Sequence, residues 1–194
     1  MPDPWDIPPF PARGDDHEDT TYAGIGRITS RFEEIEVELS YIYSLFVDRP
    51  EEMEAIKEYG TENNFHERIG RLVKAGHGYF LRQPNQELEA DFDRITDIAR
   101  KYAARRNDIA HGIVRPFQWI TLPSGNAIDA SQSLQFCVVP PHYKGKKFDP
   151  QDMPIYVYTR RELNALEVAM FHFDLEAGKF KLDLMTDVPP RVRE

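Results

Sequence analysis

The sequence predicts a mainly α protein, an antiparallel bundle of four or five helices with a β-hairpin inserted before the last helix. Three observations carry that prediction. Two long segments bear apolar residues at alternating steps of three and four: Ile25, Ile28, Phe32, Ile35, Leu39, Ile42, Phe46, and Leu88, Phe92, Ile95, Ala99, Tyr102, Arg106, Ile109, Ile113. Such seams pack against other helices, and two of them imply a bundle rather than a sheet-centred fold. Between about residues 114 and 158 the pattern changes to aromatic and β-branched alternation broken by turn residues, the mark of a hairpin insert.

Taken in order, residues 1–19 hold Pro2, Pro4, Pro8, Pro9 and Pro11, then Asp15, Asp16, Glu18 and Asp19. Proline removes backbone donors and clustered acid repels itself, so this stretch is expected to be a disordered tail, with Trp5 and Phe10 able to dock it. The first helix starts near Thr20 or Thr21, either of which can cap it, and ends at Asp48-Arg49-Pro50. Pro50 opens a short helix that runs to about Tyr59 and stops at Gly60. A third helix restarts at Thr61 with Phe65, Ile69, Leu72 and Val73 on one side, and Gly76 and Gly78 weaken its end. Asn85 caps the fourth helix, with Glu87 favourably placed in its first turn.

The hairpin uses residues 114–122 and 133–139 around Pro123-Ser124-Gly125-Asn126, and residues 155–158 offer a short third strand. Pro140, Pro141 and Pro150 mark a loop made basic by Lys144, Lys146 and Lys147. Thr159 and Glu162 form a capping box for the last helix. That helix turns Leu163, Leu166, Met170, Phe173 and Ala177 inward and is expected to stop near Gly178. The helical domain so defined spans about 20–182, with residues 183–194 as a C-terminal tail and no internal repeat.

One domain is the expectation for 194 residues. A formal charge of −9 argues against a protein that coats nucleic acid over its whole surface, yet leaves room for a local basic site. The single cysteine, Cys137, excludes a disulfide framework and points to a reducing compartment. No apolar run reaches bilayer length, and no basic segment followed by an apolar one opens the chain. A cytoplasmic protein without membrane partners is expected.

The chemistry concentrates at Arg105-Arg106-Asn107-Asp108-Ile109-Ala110-His111-Gly112. Arg106 occupies a seam position where Leu or Ile would be expected, and a buried guanidinium needs a carboxylate, a phosphate or a second subunit. On an unbroken helix Arg106 and His111 point about 140° apart, whereas Asn107 and His111 share a face. Two routes bring arginine and histidine together: Gly112 lets the helix end and turns the imidazole, or two copies meet across a symmetric dimer. The pair suits phosphodiester cleavage without metal. Histidine can take a proton from a ribose 2′-hydroxyl or deliver one to the leaving 5′-oxygen, while arginine holds the phosphate by two hydrogen bonds. Arg100, Lys101, Arg105 and Arg115 form a local basic patch suited to attracting RNA. A histidine at a helix end can also simply cap carbonyls and favour the dipole.

Arg106-Asn107, three intervening residues, His111 and then Gly112 resemble the R-N-x-x-x-H signature of HEPN domains, and the likeness covers residues from about 20 to 180. The resemblance implies an HEPN-like bundle and a homodimer with paired motifs at the subunit interface. In active members it implies metal-independent endoribonuclease activity yielding a 2′,3′-cyclic phosphate and a 5′-hydroxyl, with no cofactor. By position, Arg106 would organise the phosphate, Asn107 would orient the site, and His111 would carry protons. Such proteins include toxins paired with a cognate antitoxin protein, antiphage defence effectors, and inactive members that bind protein or nucleotide. In one toxin group a tyrosine follows the histidine by two positions, where this chain has Ile113, so control by modification of that tyrosine is not expected.

Other candidates fall away. His66-Glu67 lacks the second histidine of a zinc-protease helix, the remaining histidines show no ligand spacing, and one cysteine cannot build a thiolate site. His172, between Phe171 and Phe173, reads as structural. Phe117, Trp119 and Phe136 could stack bases, but packing of the hairpin explains them more readily. An acid such as Glu34 or Glu38 could serve as a purely structural partner for Arg106.

Overall fold

The computed structural model describes residues 3–47, 51–121, 133–141, 147–149 and 153–187. Among them are six helices, α1 (Glu18–Phe46), α2 (Glu52–Tyr59), α3 (Phe65–Arg82), α4 (Gln86–Ala110), α5 (Gln118–Thr121) and α6 (Arg160–Asp187), and two strands, β1 (Ile113–Pro116) and β2 (Phe136–Val139). The protein is mainly helical with a small antiparallel strand pair. None of its helices is long and apolar enough to cross a membrane, among the described residues. The chain divides into two compact units, Met1–Arg31 with Ala104–Ala169, and Phe32–Ala103 with Met170–Glu194.

The second unit is built by the expected seams. Phe32, Ile35, Leu39, Ile42 and Phe46 of α1 and Phe92, Ile95, Ala99 and Tyr102 of α4 are all buried. Phe46 packs edge-on to Phe80 at 5.6 Å and to Phe92 at 5.0 Å, and Phe92 stacks on Phe180 at 6.2 Å. Gly76, expected only to weaken α3, admits that ring: a Cβ there would lie 2.4 Å from Phe92. α3 therefore runs unbroken to Arg82, and its N-cap is Asn64, whose side chain accepts from the Glu67 amide, rather than Thr61. α6 likewise continues past Gly178, because Phe180 and Leu184 extend its buried seam. Packing outweighs the roughly 1 kcal/mol that a mid-helix glycine costs.

The first unit holds the strands. β1 and β2 pair antiparallel, with Val114 opposite Val138 and Arg115 opposite Cys137. The expected first strand is cut short at Pro116; the chain then turns into α5, so that Ile120 folds back onto the buried cluster of Phe117, Cys137 and Val157. The expected third strand is reduced to a single bridge, Tyr158 with Val138, closed by two bonds of 2.8 and 3.0 Å. The turn at 123–126, Lys144, Lys146, Pro50 and Pro150 lie outside the described residues.

The acidic end of the Pro-rich stretch is tied into this unit. Asp15 exchanges backbone bonds of 2.7 and 2.8 Å with Phe136, and Phe10 packs on Phe117 at 5.9 Å. The Asp15 carboxylate accepts from the Thr21 hydroxyl at 2.7 Å and from the first amide of α6, that of Arg160, at 2.9 Å. A carboxylate at a helix N-terminus meets orphan amides and the positive end of the dipole. At the same end the Thr159 amide donates to Glu162 at 2.9 Å, the return half of the capping box.

Candidate functional site

The motif sits on the last turn of α4, in the first unit. The His111 amide donates to the Asn107 carbonyl at 3.2 Å, and the Gly112 amide to that of Ile109 at 3.1 Å, so the ladder tightens from four residues to three and stops. Gly112 ends it for a steric reason. A Cβ there would lie 2.5 Å from Val138 Cγ1 and 2.9 Å from the Val139 carbonyl oxygen, so only glycine lets β2 pass this close. Ile113, expected to close the seam, consequently leaves the helix and starts β1 exposed.

Arg106 is half-buried, and its Nη1 donates to Asn107 Oδ1 at 3.0 Å. The asparagine thus fixes the direction of the guanidinium it follows in sequence. His111 is exposed, and its imidazole has no hydrogen bond or ion pair among the described residues. Arg115 is exposed on β1. Arg100 and Lys101 are exposed in the second unit, with Lys101 paired to Asp97 at 2.7 Å. Glu38 is occupied by Lys181 at 2.6 Å.

Arg105 turns elsewhere. Its Nη1 lies 3.3 Å from Asp108 Oδ2 and 3.5 Å from the Tyr158 hydroxyl, and its guanidinium lies over the Tyr156 ring at 5.8 Å. Asp108 is 2% exposed, accepts from the Tyr156 hydroxyl at 2.8 Å, and also pairs with Lys147. One carboxylate thus faces two cations and two phenols. Burial, aided by the Arg105 guanidinium, pushes the Lys147 ammonium down to about 8; burial raises both tyrosines above their ordinary range. This cluster was missed by reasoning from sequence. The available signal was an acid in the last turn of a helix, where the dipole disfavours negative charge and a cationic partner is needed.

Other expectations resolve more simply. Cys137 is buried, and burial pushes its thiol up to about 12, as for an inert core residue. Trp119 is 58% exposed and His172 is also exposed, so neither is a core residue as expected; Phe117 is buried. Among the described residues no three His, Cys, Asp or Glu side chains gather as a metal set. No family model, no curated protein and no solved structure matches this chain.

Proposed function

We propose that this protein is a metal-independent endoribonuclease of the HEPN type, working as a homodimer with Arg106, Asn107 and His111 as its centre. One observation carries the reading: a guanidinium held by the neighbouring asparagine stands five residues before an exposed imidazole, with that asparagine one helical turn before it. In the reaction the imidazole takes the ribose 2′-proton as the 2′-oxygen attacks phosphorus. The bond to the 5′-oxygen breaks, a protonated imidazole (that of the partner's His111 in a paired site) supplies the proton it needs, and Arg106 holds the charge developing on phosphate. Exposed Arg115 and Trp119 supply a cation and a stacking face for the strand. Arg105, committed to Asp108, is withdrawn from that role.

Purified protein incubated with structured and unstructured RNAs in EDTA tests this. Wild type is expected to cleave, and His111→Ala to lose about 10²–10⁴ in rate, the usual worth of a general acid–base group. Arg106→Ala should lose a comparable amount, and equal behaviour of all three proteins on every RNA would end the reading. A second reading, a non-catalytic dimeric module for a protein or nucleotide, is favoured by the charge of −9. It predicts tight binding that depends on Arg106 without turnover. A toxin or defence role follows from the first reading alone, and predicts growth arrest on expression of wild type but not of His111→Ala.

A further inference from the structure

Among the described residues nothing bonds to the His111 imidazole, so its aim is set by the backbone that carries it. That backbone is one tightening turn, in which the His111 amide donates to Asn107 and the Gly112 amide to Ile109. Helix ends of this kind fray readily, because their last carbonyls lack intrahelical partners. Here both ends of the turn are pinned.

At its start, both carboxylate oxygens of Asp108 are engaged. Oδ1 pairs with Lys147, and Oδ2 accepts from the Tyr156 hydroxyl at 2.8 Å, with the Tyr158 hydroxyl 3.5 Å away. Arg105, one turn earlier, closes on Oδ2 at 3.3 Å. At its end, Gly112 lies so close to β2 that a Cβ would stand 2.5 Å from Val138 Cγ1. The two pins are one assembly. Tyr158 and Val138 exchange backbone bonds of 2.8 and 3.0 Å, and the rings of Tyr156 and Tyr158 meet edge to face at 5.7 Å. All of these residues belong to the first unit. Asp108 stands there against a local cost, since a carboxylate in the last turn faces the negative end of the helix dipole. Stability of α4 alone favours a cation or a neutral residue at this position.

We infer that Asp108 is a positioning residue for His111, a role that rests on the ribonuclease reading, and that Lys147, Tyr156 and Tyr158 govern cleavage by gripping it. Asp108 acts through the turn, three residues before the histidine it steadies. A general base must stand within hydrogen-bond reach of the proton it takes. Misplacement by about 1 Å can cost on the order of 10²-fold in rate. The grip serves geometry and not binding, so its loss falls on kcat and leaves KM in place.

Tyr156→Phe tests this, because it removes the 2.8 Å bond and keeps the ring over which Arg105 lies. Asp15→Ala, which loosens the same unit at the start of α6, is the control. Both variants are assayed below their thermal midpoints, on an RNA that wild type cleaves. Tyr156→Phe is expected to lose about tenfold or more in kcat with KM within about twofold of wild type, and Asp15→Ala to keep both. In hydrogen exchange the His111 and Gly112 amides of Tyr156→Phe should exchange at least about tenfold faster than in wild type, while that of Ile95 stays slow. Unchanged kcat in Tyr156→Phe, or a loss that Asp15→Ala matches, would overturn the proposal. A wild type that cleaves no RNA ends the ribonuclease reading instead, and is told apart by the exchange arm. Unchanged exchange at His111 and Gly112 overturns the grip in either case.

Discussion

At the scale of single residues, the informative contrast is between Arg105 and Arg106. Adjacent in sequence, they diverge: one guanidinium is consumed by a buried carboxylate, the other is held by an asparagine amide at the edge of the helix. Asp108 decides this, because a carboxylate that is 2% exposed requires cations and takes Arg105 and Lys147. Asp108→Asn is expected to destabilise the fold by about 3–5 kcal/mol, the usual result of leaving buried charge uncompensated; thermal unfolding reads it directly. The pH dependence follows from Lys147, whose ammonium drops to about 8 from an ordinary 10.5. Between those values the folded protein has released a proton that the unfolded chain still binds, so stability rises with pH across the window. The raised phenols of Tyr156 and Tyr158 act oppositely above pH 10, where only the unfolded chain ionises them. Unfolding free energies are therefore expected to climb from pH 8 to 10 in wild type, and Lys147→Met should lack that climb.

At the scale of elements, the glycines sort by what a methyl group would meet. Gly112→Ala sets a Cβ against Val138 and two backbone oxygens and should cost about 1–3 kcal/mol by overpacking. Gly76→Ala, pressed onto the Phe92 ring, should cost a similar amount, read in denaturant titrations as a lower midpoint without a changed slope. The Asp15 carboxylate at the start of α6 acts as a remote cap, and Asp15→Ala should cost about 1 kcal/mol and open the N-terminal stretch to protease. The long helices and their buried faces were legible because their apolar period is a property of the sequence itself. The ends were less so. Local signals weakened α3 at Gly76 and put a stop near Gly178, but long-range packing of Phe92, Phe180 and Leu184 carried both helices through. The short α5 was hidden for the same reason, since residues 117–121 have strand composition and turn only to return Ile120 to a distant cluster.

At the scale of the whole molecule, the acidic balance of −9 leaves room only for a local basic site, and the proposed RNA contact is therefore assigned to the motif alone. The sequence alone singled out Arg106, Asn107 and His111 as candidates, and it anticipated that the helix could end at Gly112, as it does. It could not reveal that Arg105 is withdrawn, because the carboxylate that takes it is shared with Lys147, Tyr156 and Tyr158 from a segment some 40 to 50 residues away. The proposed chemistry at His111 is written in the ends of the cleaved RNA. Products formed in EDTA should carry a 2′,3′-cyclic phosphate and a 5′-hydroxyl and should vanish with His111→Ala. Cleavage that survives that substitution, or that leaves other ends, would show that His111 does not carry the reaction.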